Sequence, residues 1–183
     1  MKAKIVTCIV GMALLPFWSC GHNGVNKDLR VADNRILQQT DGSVSLILDK
    51  ADCYSDAGNP SNNTADWNVV ISKPGRFKVW LSSATKDTSS LNYRNSVKIS
   101  FMNDLLEVNP ACDKIVRNSN EVHYPYYRAD SYMGSISFTE PGEYNVQLIS
   151  EKVTLCNAKT REISPADDTK LMSVIMTPEA YSN

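Results

Sequence analysis

Histidine is scarce in this 183-residue chain: His22 and His123 are the only two. Two such distant residues do not make a multi-histidine metal centre, and no His-Glu-x-x-His occurs. A Gly-x-Ser-x-Gly elbow and a Gly-rich phosphate loop are missing too, so common hydrolase and nucleotide chemistries have no signature here. Charge of one sign is also lacking. Nineteen Lys and Arg stand against 20 Asp and Glu, a net of −1, and no basic stripe forms. Nucleic acid is therefore not an expected partner, because phosphate contacts need clustered cations. No stretch carries the i, i+3, i+4 apolar stripe of a helix, and no internal repeat or low-complexity tract is evident.

Glycoside hydrolysis needs two facing carboxylates, but nothing singles out one pair among 20 acidic residues. His123 with Tyr124 and Arg128 is the one grouping suited to lyase-type proton abstraction. The expectation is a non-catalytic protein with no catalytic residue.

What is present begins at the N-terminus. Lys2 and Lys4 precede a mostly apolar stretch from Ile5 to Phe17, and polar chain resumes after Cys20. That length suits a secretory signal, since a spanning helix needs about 20 apolar residues. The ending Phe17-Trp18-Ser19-Cys20 resembles a lipobox, with Phe17 and Trp18 where Leu and a small residue are usual. The resemblance implies a signal peptide over 1–19, a Cys20 carrying palmitate-type acyl chains, and a tether over 20–42. A lipoprotein held at the outer membrane of the cell envelope is expected. Surface lipoproteins of the Bacteroides type often carry an acidic run after the Cys. Gly21 to Arg30 contains only Asp28, which leaves periplasmic and surface sides both open.

Without Lys2 and Lys4 the remainder has 17 basic and 20 acidic residues. Beyond Cys8 and Cys20, three cysteines remain: Cys53, Cys112 and Cys156. They allow one disulfide and one free thiol, or none, with Cys112–Cys156 the pair expected. Their spacing fits no zinc pattern, and no metal site is expected.

From residue 43 the pattern has period two. Val44, Leu46 and Leu48 alternate with polar residues, as do Trp67, Val69 and Ile71, then Phe77, Val79 and Leu81. Lys73-Pro74-Gly75-Arg76 supplies a turn, so residues 67–82 read as a hairpin. Further strands are expected over 96–101, 105–108, 135–138, 144–148 and 171–176, with a second Pro-Gly turn at 139–142. One polar and one apolar face per strand is what an all-β, antiparallel two-sheet β-sandwich over residues 43–183 needs. A barrel is the alternative.

Asp66-Trp67-Asn68-Val69-Val70-Ile71 followed by Pro74-Gly75-Arg76-Phe77-Lys78-Val79-Trp80-Leu81 resembles the first hairpin of galactose-binding-like jelly-roll domains. Gly134 to Phe138 with Pro141 to Leu148 resembles their second hairpin, and Leu171 to Pro178 their closing strand. Such domains recur as carbohydrate-binding modules and at the C-terminus of some bacterial α-L-fucosidases. The resemblance implies the fold and a carbohydrate ligand. Many of these modules hold a structural calcium between an early carboxylate and an Asp in the closing strand. Asp49 and Asp52 are present, but Leu171-Met172-Ser173-Val174 brings no Asp, so calcium is not expected.

Aromatic faces stack on the C–H faces of sugars while polar groups fix the hydroxyls. His123-Tyr124-Pro125-Tyr126-Tyr127-Arg128 concentrates such groups, and Pro125 places them on a loop or edge. Tyr124, Tyr126, Tyr127 and Arg128, with Tyr93 from the polar stretch 82–94, are the expected ligand contacts. Tyr54 is a further loop aromatic. Trp80 has the parity of an outward residue, a sugar platform or, as expected here, a ring covered by a loop. Glycan is the expected partner. Docking to another envelope protein is the alternative, since Tyr and Arg also anchor protein interfaces.

Overall fold

Residues 64–71 show how the alternation builds this molecule. Ala65, Trp67, Val69 and Ile71 are buried, while Thr64, Asp66, Asn68 and Val70 lie on the other face. The computed structural model describes residues 34–153 and 168–179. Eleven strands occur among them. They are β1 (Arg35–Leu37), β2 (Val44–Ile47), β3 (Asp52–Tyr54), β4 (Thr64–Ile71), β5 (Gly75–Thr85) and β6 (Val97–Phe101). β7 (Asp104–Val108), β8 (Lys114–Val116), β9 (Tyr127–Phe138), β10 (Gly142–Ile149) and β11 (Thr169–Pro178) complete the set.

They form the expected sandwich. One sheet runs β1-β4-β10-β6-β7, with β3 on the same edge of β4 as β1. The other runs β2-β11-β5-β9-β8. Every pair is antiparallel except β1–β4. Between the sheets lie Val69 and Ile71, Phe77, Val79 and Leu81, Phe101, Phe138, Val146, Leu148 and Met176. Phe138 meets Phe77, Phe101 and Tyr144 at centroid distances of 5.5, 4.8 and 4.8 Å. Trp67 sits in this core as expected, and its indole N–H donates to the Ile47 carbonyl of the opposite sheet at 3.0 Å. That bond satisfies a buried donor and ties the sheets together.

Three expectations need correction. The segment 67–82 is not a hairpin: β4 belongs to one sheet and β5 to the other. The same holds for β9 and β10. Both Pro-Gly corners cross between sheets and lie side by side, because Gly142 pairs with Ile71 and Gly75 pairs with Phe138. Alternation reports which side chains face the core, and both walls of a sandwich face the same core. Second, the sandwich takes in chain before residue 43. β1, within the stretch expected as tether, adds to the edge of β4 and buries Ile36. Third, Cys112 is a free thiol and Cys53 is disulfide-bonded, so Cys112–Cys156 does not form. Cys156, the signal segment 1–19 and Cys20 lie outside the described residues.

Candidate functional site at one end of the sandwich

β5 ends, and β9 and β11 begin, at one end of the sandwich: Thr85 pairs with both Tyr127 and Thr169. The Thr85 and Thr169 hydroxyls lie 3.0 Å apart. The loops 86–96 and 117–126 therefore open at this end, as does 55–63, which precedes β4. Loops carried on rigid strands are where sandwiches usually place ligands.

Within 117–126 a turn closes through Tyr126 N–H donating to the His123 carbonyl at 3.0 Å, and the Tyr124–Pro125 peptide inside it is cis. Tyr124 stands out at 89 % exposure. Tyr126 is half-buried, with the Lys86 ammonium 5.2 Å from its ring centroid. That cation–π contact joins the two loops. Tyr127 is half-buried as the first residue of β9. Of these three tyrosines Tyr124 is the ring offered to solvent.

Arg128 does not fit the role of a ligand contact. Its Nε and Nη2 donate to the two oxygens of Asp130 at 2.8 and 3.1 Å, and its Nη1 to Glu121 at 2.9 Å. The side chain is 18 % exposed. Burial disfavours the guanidinium charge, but Asp130 and Glu121 outweigh it and push the group above its ordinary value. Arg128 pins the 117–126 loop to β9 through these bonds.

Tyr93 is also placed differently. Its hydroxyl lies 2.9 Å from Ser83 Oγ, and the ring packs on the core. Burial drives the phenol far above its ordinary value. Loop 86–96 packs Tyr93 on the core and buries Leu91. The loop is held down by Glu151, which accepts the Arg94 N–H at 2.7 Å, while Lys152 Nζ lies 5.8 Å over the Tyr93 ring.

Loop 55–63 is internally tied. Asp56 accepts the Gly58 and Asn59 N–H groups, which hold its carboxyl below the usual range. Asn63 accepts the Asp56 N–H and donates to the Val153 carbonyl. Tyr54 is exposed on β3, on the outer face of the six-stranded sheet.

The calcium donors of the look-alike domains are not gathered here. Asp49 lies on an exposed 3-10 turn, Asp52 is hydrogen-bonded by Asn34 at 2.8 Å, and β11 contributes no carboxylate. Among the described residues no three His, Cys, Asp or Glu side chains converge on a metal position.

Tyr132 was not among the expected contacts, and it is the ring that Trp80 meets. Trp80 is half-buried on the outer face of the five-stranded sheet, and its ring meets Tyr132 at 5.1 Å and 54°. Strict alternation back from Phe138 and Ile136 turns Tyr132 inward. A bulge in β9 turns it out instead.

The sequence matches no protein-family model and no curated protein. Solved structures do share its shape. Part of an α-L-fucosidase from Vibrio sp. strain EJY3 superposes with a TM-score of 0.63 at 21 % identity, over 80 % of this chain and 24 % of that one. A Podospora anserina GH26-CBM35 β-(1,4)-mannanase gives a TM-score of 0.45 at 11 % identity, over 76 % of this chain and 28 % of that one. The first likeness establishes a common β-sandwich fold, and this chain spans about a quarter of the fucosidase's length.

Proposed function

We propose that this chain is a non-catalytic glycan-binding protein, tethered to the cell envelope by lipid on Cys20. The observation that carries the reading is Tyr124, an aromatic ring exposed at the loop end on a loop that Arg128 fixes. A large ring open to solvent offers a stacking face for a sugar. The Glu121 carboxylate, paired with Arg128, lies within the same loop. The fold likeness to part of an α-L-fucosidase points the same way, to carbohydrate. The lipobox-like Phe17-Trp18-Ser19-Cys20 supports the tether.

The test is an array of plant and host glycans, fucosylated ones included, probed with the full chain and with Tyr124→Ala. Saturable binding that the substitution weakens about tenfold supports the reading, since a stacked ring contributes on the order of 1 kcal/mol. A well-folded wild type that binds no glycan overturns it and favours docking to an envelope protein.

A further inference from the structure

We propose that the outer face of the five-stranded sheet carries a second carbohydrate contact, built on Tyr132 and Trp80 with Ser135, Glu179 and Arg76 as its polar edge. The class of ligand rests on the glycan-binding reading above; the location rests on the geometry alone.

Tyr132 is 40 % exposed, yet it is held on three sides. Its backbone N–H donates to Asp113 Oδ2 at 2.7 Å, its hydroxyl lies 3.0 Å from Ser135 Oγ, and its ring packs on Trp80. A ring fixed before the ligand arrives loses little freedom on binding. Its outward aim has a cause. The register of β9 against β5 slips between Val79 and Trp80, so Val79 pairs with Gly134 and Trp80 with Tyr132, leaving Met133 extra. Met133 is buried, and a Cβ on Gly134 would meet Leu106 of the opposite sheet at 3.2 Å. Both residues therefore face the core and Tyr132 faces out. Bulges of this kind re-aim single side chains and gather near functional sites. β11 carries a second register shift on the other side of β5, between Leu171 and Ser173.

Beside the rings runs a polar chain. Ser135 Oγ donates to Glu179 Oε1 at 2.5 Å, and Glu179 Oε2 lies 3.1 Å from Arg76 Nε. The Arg76 side chain is well exposed. A carboxylate and a guanidinium are planar groups that engage neighbouring hydroxyls in pairs. One side of this place is thus aromatic and the other accepts and donates hydrogen bonds. A pyranose, with its C–H face and hydroxyl rim, has that same division. An apolar partner does not match, because exposed Lys78 lies beside the rings on β5 and polar Ser135 faces it on β9.

The test titrates the full chain with cellohexaose, xylohexaose, mannohexaose and 2′-fucosyllactose, reading affinity and tryptophan emission. Trp80 lies at this place, Trp67 is sealed in the core, and Trp18 belongs to the expected signal segment. At least one probe is expected to shift the emission. Tyr132→Ala should weaken its binding about tenfold, Glu179→Gln should weaken it severalfold, and Trp80→Phe should remove the emission change. Tyr132→Val serves where the alanine variant folds poorly. Binding lost in Tyr132→Ala and kept in Tyr124→Ala establishes the sheet face and removes the loop end. Binding and emission unchanged in Tyr132→Ala and Tyr132→Val, but lost in Tyr124→Ala, overturn this second contact and leave the glycan-binding reading standing. A folded wild type that binds none of the four probes overturns the carbohydrate assignment of this face, and a blank on the wider array removes the general reading with it.

Discussion

The guanidinium of Arg128 grips both carboxylate oxygens of Asp130, two residues along the same strand, at 2.8 and 3.1 Å. Residues i and i+2 of a strand share a face, and Asp130 is nearly sealed from solvent. Removing the arginine leaves that carboxylate buried without its cation. Arg128→Ala should lower the stability of the domain by about 3 kcal/mol, read in urea unfolding. Arg128→Ala with Asp130→Ala should recover part of the loss. An Arg128→Ala protein as stable as wild type, with unchanged glycan affinity, removes the strut role assigned here.

Cys112 gives a chemical check on the thiol assignments. It is the free cysteine of the described residues, half-buried, and burial raises its thiol above the ordinary value, with Asp87 and Asp113 adding to the effect. The thiolate is the reactive form, so a raised thiol reacts slowly. Iodoacetamide at neutral pH should modify native Cys112 more slowly than it modifies free cysteine, and should modify it quickly once the protein is unfolded in urea without reductant. Mass spectrometry that finds Cys112 oxidised, with Cys53 as the free thiol, reverses the assignment.

These features were unevenly legible in the sequence. The faces of β4, β5 and β10 could be read directly, because Trp67, Phe77 and Val146 alternate with polar neighbours. The partner of each strand could not. A Pro-Gly corner closes a hairpin or crosses between sheets with the same residues, and only the pairing of Gly142 with Ile71 decides it. At the loop end, the cluster 123–128 was visible as composition, but not which of its rings is exposed, Tyr124. Tyr93 and Arg128 looked alike as loop residues and were not. One packs on the core and the other answers Asp130, a pairing set by packing rather than spacing. Tyr132 was hidden by the extra residue Met133, since a bulge reverses the parity on which strand reading depends.

Asp66 supplies a pH-dependent prediction. It lies opposite Asp52 on β3, and its Oδ1 is buried without a hydrogen-bond partner. Burial raises its carboxyl above the ordinary 3.8 and repulsion from Asp52 adds to this, against a hydrogen bond from Gln147. The folded state therefore holds this proton more tightly than the unfolded chain. Stability from this group falls as pH rises from 3.8 through the raised folded value, and the deficit persists at neutral pH. Asp66→Asn should accordingly raise the melting temperature more at pH 7 than at pH 3. An equal shift at both values, or a larger one in acid, contradicts the assigned direction.

Besides the β1–β4 backbone pairing, the stretch before residue 43 is bound to the sandwich through the Gln38 side chain. Gln38 Oε1 accepts the Ser72 and Lys73 N–H groups at 3.0 and 2.7 Å, together with the Ser72 hydroxyl. Its Nε2 donates to the Gly42 and Lys73 carbonyls. Ser72 and Lys73 form the corner where β4 crosses into β5, so their backbone groups have no strand partner to fall back on. Gln38→Ala should cost about 1 to 2 kcal/mol. Gln38→Glu, which keeps the acceptor and loses the donor, should cost less. Truncation to residue 43 removes β1 as well, uncovering the outer edge of β4 along Asn68–Val70 and the core beneath Ile36. The truncated chain should therefore melt well below the Gln38→Ala protein. If it melts with the full chain instead, β1 adds nothing to the fold, and the domain begins at the period-two segment.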